Sequence, residues 1–322
     1  MRILVTGGAG YLGSILVRRL LDGGHQVRVL DKLLFGNDSL VGLEGTWGFQ
    51  LYHGDVTNVK DVTAAMNDID AVIDLAAIVG DPACKINEDL TIQTNYWATH
   101  LLAEVAQAKG ISKFLFASTC SVYGKSSGSA DEDGETNPLS LYAKTKLDSE
   151  GVIKKFSNGM GGRVLRLATL CGPSYRMRFD LVLNIMTAKA CIDGKVQVFG
   201  GEQIRPLLDV RDAAKAFQYL LENSDSSDYY VFNIGSNSSN TSIANLGELV
   251  VNTVGNSELT HIPEVSDARS YRVDFSRIKD IGFTPDYSLE DSIHGIVELF
   301  KDGTITDYTN PRYHNAKQDY QN

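Results

Sequence analysis

The sequence is poor in the residues that build metal sites and disulfide frameworks. Only 4 of its 322 residues are cysteine and only 6 are histidine. The cysteines are widely separated, with no Cys-x-x-Cys pair and no histidine at zinc-site spacing: Cys84, Cys120, Cys171 and Cys191. These absences exclude a zinc-stabilised or disulfide-stapled module. They predict no metal and a reducing compartment, the cytoplasm.

Positive charge is also scarce. The 30 Lys and Arg residues face 40 Asp and Glu residues, which leaves a formal net charge of -10. This acidity excludes a nucleic-acid partner, because such proteins present basic surface to phosphates, but a few local arginines suffice for a small anionic ligand. No apolar run approaches the roughly 18 residues of a membrane span. The first strand leads directly into a glycine turn, so neither a signal peptide nor membrane association is expected.

Short β-branched runs alternate with helical patterns in the first half of the chain. The predicted strands are 3–6, 26–30, 49–53, 71–75, 113–118 and 163–167, and the predicted helices are 11–22, 59–66, 90–108 and 142–156. Strands with little polar alternation indicate burial on both faces, as in a parallel sheet covered by helices. The pattern therefore predicts an α/β fold with a Rossmann doubly wound parallel sheet.

The pattern loosens after about residue 168. Predicted strands at 196–199 and 230–234 mix there with predicted helices at 180–192, 210–221 and 243–254. We expect residues 1–168, with a returning segment near 207–235, to form the Rossmann domain. Residues 169–206 and 236–322 are expected to form a smaller C-terminal α/β substrate lobe. The polar residues from about Tyr308 onward read as a tail or a late docking segment.

A phosphate-binding turn follows the first predicted strand. Gly7, Gly10 and Gly13 stand at GxxGxxG spacing between that strand and a helix. In this context the glycines permit a tight turn, close approach of a pyrophosphate and close packing of helix on strand. Free N–H groups and the helix dipole attract the negative charge. The turn therefore predicts a bound dinucleotide.

Two aspartates refine this prediction. Asp31 ends the second strand eighteen residues beyond Gly13, close to the offset expected for a carboxylate that binds a ribose. Such a carboxylate repels a 2′-phosphate and favours NAD over NADP, although the adjacent Lys32 opposes that preference. Asp55, after the third strand, either meets the adenine edge or caps a helix, and the spacing leaves both readings open.

A Tyr-x-x-x-Lys pair indicates redox chemistry. Tyr142 and Lys146 are four residues apart and share one face of a predicted helix. A phenol with a reference pKa of about 10 is a poor base at neutral pH, and a nearby ammonium group stabilises its phenolate. Ser118 and Thr119 end the fifth strand, where the sheet edge faces the ligand crevice.

With these motifs the chain resembles the extended short-chain dehydrogenase/reductases that act on nucleotide sugars, the NAD-dependent epimerase/dehydratase family. The resemblance covers nearly the whole length. It rests on the turn at 6–13, Asp31, residues 53–56, residues 74–77, Asn95, residues 116–124, residues 142–146 and Gly172-Pro173.

The resemblance implies roles for individual residues. Tyr142 is the general base, Lys146 holds the nicotinamide ribose and Thr119 contacts the sugar O4. The implied cofactor-binding residues are Gly7, Gly10, Tyr11, Leu12, Gly13, Asp31, Asp55, Val56, Ala76, Ala77, Asn95, Ser118, Tyr142 and Lys146. The implied substrate-binding residues are Thr119, Cys120, Asn184, Arg176, Arg178, Arg205 and Arg269. Arg205, Arg269 and Asn184 are expected on the diphosphate.

The chain departs from the family pattern at several positions. Cys120-Ser121 replaces the Asp-Glu pair with which the 4,6-dehydratases eliminate water. Cys120 is either a packed thiol or a specialised acid, and packing is the favoured reading. Asp74 stands where many relatives have His, and a structural hydrogen bond is expected of it. Pro206 follows Arg205 where relatives usually have Asp.

The run Arg176-Met177-Arg178-x-Asp180-Leu181 is similar to a subgroup that includes GDP-heptose 4-dehydrogenases. Arg176 and Arg178 either meet a diphosphate or sugar hydroxyls, or one of them forms a surface salt bridge with Asp180.

The sequence thus predicts NAD-dependent oxidation of a nucleotide-diphosphate sugar at C4, with 4-epimerisation as the favoured net reaction. The alternative is a 4-dehydrogenase that releases the 4-keto sugar. A 4,6-dehydratase and a non-catalytic NAD sensor are less favoured. The family also implies a homodimer through the helices at 90–108 and 142–156.

Overall fold

The computed structural model describes residues 1–223, 228–263 and 269–317. The strands are β1 (Arg2–Thr6), β2 (Gln26–Asp31), β3 (Phe49–His53), β4 (Ala71–Asp74), β5 (Lys113–Thr119), β6 (Lys125–Ala130), β7 (Gly161–Leu167), β8 (Thr169–Cys171), β9 (Lys195–Phe199), β10 (Ile204–Asp209), β11 (Tyr230–Ile234), β12 (Asn240–Ser242), β13 (Glu258–Ile262) and β14 (Ser270–Val273). The helices are α1 (Gly13–Asp22), α2 (Val59–Ala65), α3 (Asp81–Cys84), α4 (Glu88–Ile92), α5 (Ala98–Ala108), α6 (Leu141–Phe156), α7 (Val182–Ile192), α8 (Val210–Asn223), α9 (Ile243–Val254), α10 (Ser276–Asp280) and α11 (Leu289–Lys301).

A parallel sheet organises the first half of the chain. Within the described residues its seven strands lie in the order β11-β7-β5-β4-β1-β2-β3. Alternate residues of each strand point to opposite faces, so Val5 and Leu115 pack on one face while Leu4 and Phe114 pack on the other. Both faces are covered by helices, which is why these strands read as apolar runs. The predicted doubly wound Rossmann sheet is confirmed.

The predicted strands of this sheet agree with the structure to within two residues. The largest difference is at β7, which begins at Gly161, whereas the sequence predicted 163. Glycine has a low preference for strands, so Gly161 and Gly162 gave no strand signal. The pairing of both glycines with β5 extends the strand nonetheless.

The predicted helix 90–108 is interrupted in the structure. It begins at Glu88, where the Asn87 side chain accepts a hydrogen bond from the Leu90 amide, and it passes through a π-helical turn at Gln93–Trp97. A π-turn is often found at functional sites, since it turns side chains out of the regular helical register. Asn95 lies in this turn, beside the end of β4.

The second half adds small sheets and further helices. β10 pairs with β8 and β12, β13 pairs with β9, and β14 pairs with β6. The sequence did not predict β6, because Lys-Ser-Ser-Gly-Ser-Ala has the composition of a loop. The predicted helix 180–192 begins at Val182, since Asp180 is drawn into an ion pair with Arg178 and Leu181 is extended.

We propose the two-lobe division from this topology. β11 returns to the parallel sheet beside β7, and α8 packs against α1, as expected for a segment near 207–235 that rejoins residues 1–168. The remaining residues, 169–206 and 236–317, form what we call the substrate lobe. The described residues contain no helix with the length and apolarity needed to cross a membrane.

Candidate active site

Two adjoining cavities lie at the carboxyl edge of the parallel sheet. The cofactor cleft is lined by the glycine turn, Asp31 and the residues that follow β4. The substrate cavity lies between the sheet edge and the substrate lobe. The residues that line both cavities mark their junction: Val79, Ser118, Tyr142, Leu167, Leu170 and Arg178. No cluster of His, Cys, Asp or Glu in the described part of the chain is placed to hold a metal ion.

The glycine turn fits a dinucleotide because side chains cannot occupy it. Gly7 has φ +69°, and a Cβ there would lie 2.9 Å from the Ala76 nitrogen. A Cβ on Gly13 would lie 2.2 Å from the carbonyl oxygen of Gly7. Gly10 lines the cleft beside them, and α1 begins at Gly13. The glycine turn therefore leaves room for a pyrophosphate at the N-terminus of α1.

Asp31 is oriented toward this cleft by two backbone donors. The Ala9 amide donates to Asp31 Oδ2 at 2.9 Å and the Leu33 amide donates to Oδ1 at 2.8 Å. Each oxygen keeps a lone pair for a ribose hydroxyl. Burial raises the pKa of Asp31, and the two amide hydrogen bonds partly offset this effect. The neighbouring Lys32 forms an ion pair with Asp55 at 3.3 Å.

Asp55 also shapes the turn that follows β3. Its Oδ1 accepts hydrogen bonds from the amide and the hydroxyl of Thr57, both at 2.8 Å. Burial raises the pKa of Asp55, but the Thr57 hydrogen bonds and Lys32 outweigh it, so the pKa is lowered. Asp55 and Val56 both line the cofactor cleft. The structure therefore shows a turn-forming aspartate on the cleft wall.

Asp74 makes the structural hydrogen bonds expected of it. Thr6 and Thr99 donate their hydroxyls to its two oxygens at 2.7 and 2.9 Å, deep in the core. The Thr6 hydroxyl in turn accepts from the Leu75 and Ala76 amides. This network fixes the backbone after β4, where Ala76 and Ala77 line the cleft.

Asn95 supports the same wall from behind. Its Oδ1 accepts from the Ile78 amide at 2.8 Å and its Nδ2 donates to the Ile78 carbonyl at 3.0 Å. Asn95 is fully buried and lines neither cavity. Asn95 thereby positions Ile78 on the cleft wall, and its predicted contact with the cofactor stays a prediction.

Tyr142, Lys146 and Thr119 come together at the junction. The Ser140 side chain caps α6, whose first turns carry Tyr142 and Lys146. Burial raises the pKa of the Tyr142 phenol, and Arg178 and the Thr119 side chain offset this rise only in part. Lys146 is buried, with Nζ 4.7 Å from the Phe116 ring centroid, and burial lowers its pKa to about 8.

Ser118 is held by a buried network that the sequence did not reveal. Its hydroxyl donates to Glu150 Oε1 at 2.5 Å, and Arg166 forms an ion pair with the same carboxylate at 2.8 Å. The Ser118 hydroxyl is thereby directed into the protein, although the residue lines both cavities. The sequence does contain a signal for the position of Glu150, because Glu150 follows Lys146 by four residues and therefore shares its helix face.

Cys120 does not reach the substrate cavity, which corrects its predicted contact with the substrate. Its side chain is buried, its thiol donates to the Arg166 carbonyl at 3.2 Å, and burial raises its pKa. The packing interpretation fits this placement. Ser121 lines the cavity instead, with its hydroxyl 3.4 Å from the Tyr271 hydroxyl.

The two arginines of the 176–181 run have different surroundings. The Arg176 guanidinium lies 3.7 Å from the Phe35 ring centroid and lines only the cofactor cleft, which corrects its prediction as a substrate ligand. Arg178 forms two hydrogen bonds with Asp180, at 3.0 and 2.9 Å. A salt bridge with Asp180 was one of the two alternatives left open by the sequence, and the ion pair is mostly buried at the junction of the cavities instead of on the surface.

The substrate lobe brings two of the three predicted diphosphate ligands to the cavity. Arg205 and Arg269 line it, and Arg269 forms an ion pair with Asp81 at 3.0 Å. Lys189, which the sequence reading missed, lines it too.

Asn184 lines neither cavity. It accepts a hydrogen bond from the Gly172 amide and donates to the Tyr11 hydroxyl and the Arg178 carbonyl. These hydrogen bonds use both ends of the Asn184 side-chain amide within the protein, so the predicted contact with a phosphate has no support. Tyr11 is also held by an internal hydrogen bond, since its hydroxyl donates to the Gly172 carbonyl at 2.6 Å. Tyr11 and Leu12 both line the cofactor cleft.

Comparisons with known proteins agree with this geometry. The UDP-glucose 4-epimerase of Corynebacterium glutamicum is 29% identical over 262 residues, 73% of this chain and 75% of its own. The dTDP-glucose 4,6-dehydratase of Streptomyces niveus is 28% identical, covering 94% of this chain and 93% of its own.

A solved structure, UDP-glucuronic acid 4-epimerase from Bacillus cereus in complex with UDP-glucuronic acid and NAD, superposes with a TM-score of 0.84. Its sequence identity is 27%, and the match covers 94% of this chain and 99% of that one. The sequence model of the NAD dependent epimerase/dehydratase family matches residues 3–235. This chain therefore belongs to the NAD-dependent epimerase/dehydratase family, enzymes of the extended short-chain dehydrogenase/reductase type whose cofactor is NAD.

Proposed function

We propose that this enzyme oxidises a nucleotide-diphosphate sugar at C4 and that the net reaction is 4-epimerisation. The observation that carries the proposal is the position of Tyr142, which borders both the cofactor cleft and the substrate cavity. A sugar in the substrate cavity has its reacting carbon between the phenol and the cleft. Bound NAD supplies the hydride acceptor at that point.

In this mechanism, side chains of the protein carry out the proton transfer. The Tyr142 phenolate accepts the O4 proton, and the C4–H bond is broken with loss of a hydride, which gives a C4 ketone. Thr119 donates a hydrogen bond that orients O4 toward Tyr142. Arg178 lowers the pKa of Tyr142, and we assign to Lys146, one turn further along α6, the positive charge that stabilises the phenolate.

The charge of the substrate cavity suits a diphosphate. Arg205, Arg269 and Lys189 line it, in a protein whose net charge is negative. Guanidinium groups bind phosphate oxygens through paired hydrogen bonds. Arg269 is held against Asp81 in this structure, and we expect a diphosphate to compete with that carboxylate for the guanidinium.

Elimination of water at C5 and C6 is disfavoured. The position of the dehydratase Asp-Glu pair is taken by Cys120, which is buried away from the cavity, and by Ser121, which has no basic group. In the reverse step, C4 of the 4-keto sugar regains the hydride on its opposite face and Tyr142 returns the proton to O4, which completes the epimerisation. The alternative reaction, 4-dehydrogenation with release of the 4-keto sugar, is supported by the sequence run Arg176–Leu181, whose Arg178 lies at the junction of the two cavities.

The test is to incubate the purified enzyme with UDP-, GDP- and dTDP-hexoses and to follow products by NMR and reduced nicotinamide by absorbance. A C4 epimer without net absorbance change supports the proposal. A 4-keto sugar with one equivalent of reduced cofactor would replace it with the 4-dehydrogenase. If no sugar gives any product, both C4 reactions are contradicted for these substrates and the non-catalytic alternative is favoured.

We also propose a cytoplasmic homodimer. Two helices, α5 with its preceding π-turn and α6, pack side by side and carry a row of aromatic rings on their outer surface. Trp97 is 57% exposed there, in edge contact with Tyr96, and His100 lies against Phe156. A second copy of this surface would bury these rings. All four cysteines are free thiols, as a reducing compartment favours.

A further inference from the structure

The segment 307–317 follows the last long helix and lies across the mouth of the cofactor cleft. Asn315 is buried and lines the cofactor cleft, and the next residue, Ala316, lines the substrate cavity. The segment therefore reaches the junction where Tyr142 lies, from the far end of the described chain. We call residues 307–317 the clasp.

The clasp is anchored to the substrate lobe by rings and backbone. The Tyr308 hydroxyl donates to Asp193 Oδ2 at 2.6 Å, and the Phe179 amide donates to the Tyr313 carbonyl at 2.9 Å. The Tyr308 and Tyr313 rings both make edge contacts with Phe179. Buried aromatic contacts of this kind hold a segment firmly.

Its contacts with the Rossmann domain include the packing of residues 315–317 against α3 and two polar contacts. Arg312 forms an ion pair with Asp38 at 2.7 Å, and both side chains are largely exposed. Asn315 Nδ2 donates to the Val79 carbonyl at 3.0 Å. An exposed ion pair and a hydrogen bond each contribute little, so we expect the clasp to detach from the Rossmann domain more readily than from its aromatic anchor.

These two contacts are made with separate segments of the Rossmann domain. Asp38 follows β2 and Asp31, on the side where the adenosine ribose is expected, whereas Val79 follows β4 and borders the junction. On another wall of the cleft, the Arg176 guanidinium covers Phe35.

We propose that the clasp closes over the bound dinucleotide, that Asn315 is a further positioning residue at the junction, and that opening of the clasp limits cofactor release. Retention of the cofactor through a catalytic cycle is the consequence. The inference depends on the family cofactor and not on the reaction at C4, so either can fail without the other.

The test measures dissociation of NADH from the full chain, without any sugar, by stopped-flow displacement with excess NAD. We expect Arg312→Ala combined with Asn315→Ala to release NADH about tenfold faster than the unaltered enzyme, because affinity changes act chiefly on dissociation. Lys301→Ala, at an exposed ion pair on α11, is the control and should change the rate less than twofold. A folded double variant with the unaltered rate would overturn the inference.

A second measurement uses the unaltered protein and does not depend on how the variants fold. Hydrogen exchange of the amides between residues 308 and 316 should slow when NAD is added. Exchange in the glycine turn, Gly7 to Gly13, reports binding itself. Protection of the turn without any change in the clasp would also overturn the inference.

Discussion

At the scale of single residues, Tyr142 is the group on which the proposed chemistry depends. Tyr142→Phe removes the phenol oxygen that accepts the O4 proton in the proposed mechanism and keeps the aromatic ring. We expect turnover to fall by about 10²–10⁴-fold, the usual contribution of a general base. NAD binding should persist, because the glycine turn and Asp31 are untouched.

Single-turnover absorbance and NAD titration measure these two quantities. Tyr287→Phe is the matched control, since Tyr287 is exposed and lines neither cavity. Near-normal turnover of Tyr142→Phe would remove the phenol from the mechanism.

A second prediction at this scale concerns Asp74, whose carboxylate acts on the pKa of Lys146. Burial lowers the pKa of Lys146 to about 8, and the Asp74 carboxylate raises it. Lys146 must be an ammonium group to stabilise the phenolate, so turnover should decline as pH rises through this region. Asp74→Asn removes the negative charge, which lowers the pKa of Lys146 further and moves the decline to lower pH.

Initial rates between pH 6 and 10 measure the shift. Asp70→Asn, on the surface near Arg2, is the control for loss of one carboxylate. An unchanged profile in Asp74→Asn would show that Asp74 is structural only, as its hydrogen bonds to Thr6 and Thr99 already allow.

At the scale of elements, the helices that place the catalytic side chains also carry the proposed dimer surface. The inner face of α6 presents Tyr142 and Lys146, and the outer surface presents the rings around Trp97. Trp97→Ser removes the largest exposed ring of that row. Because buried aromatic residues dominate interface energies, we expect the dimer to dissociate at much higher protein concentration.

Sedimentation velocity over a dilution series measures this change. Trp47→Ser provides a matched control, because the chain has only 2 tryptophans and Trp47 is 72% exposed in a loop. A Trp97→Ser protein that dissociates like the Trp47→Ser protein would exclude this surface as the interface.

At the scale of the whole molecule, the cofactor should stabilise the fold. A ligand that binds only the folded state at about 100 times its Kd adds about 2.7 kcal/mol to the free energy of unfolding. Asp31 offers acceptors to ribose hydroxyls and repels a 2′-phosphate, while Lys32 is paired with Asp55. NAD should therefore raise the melting temperature more than NADP at equal concentration. Equal shifts would contradict the role of Asp31.

The sequence predicted much of the cofactor side because its signals are local. The glycine turn, Asp31 and the Tyr142–Lys146 pair each depend on a short spacing next to one strand or helix. The strands of the parallel sheet were predicted for the same reason, since burial on both faces leaves an apolar run in the sequence. The π-turn at Gln93–Trp97 left no such trace.

The substrate side was predicted less well because its contacts are distant in sequence. Asn184 and Cys120 were assigned to the substrate by motif position, but their hydrogen bonds to Gly172 and Arg166 hold them in the core. Arg176 was assigned there too, yet its segment folds over Phe35 in the cofactor cleft.

By itself, the sequence determined the fold class, the glycine turn and the shared helix face of Tyr142 and Lys146, because spacing along one strand or helix fixes which side chains share a face. Only the tertiary structure decided that Arg178 lies at the junction, that Glu150 holds Ser118 and that Asn315 reaches the cleft. Each of these placements results from packing between segments far apart in the chain, and such contacts leave no periodic signal in the sequence.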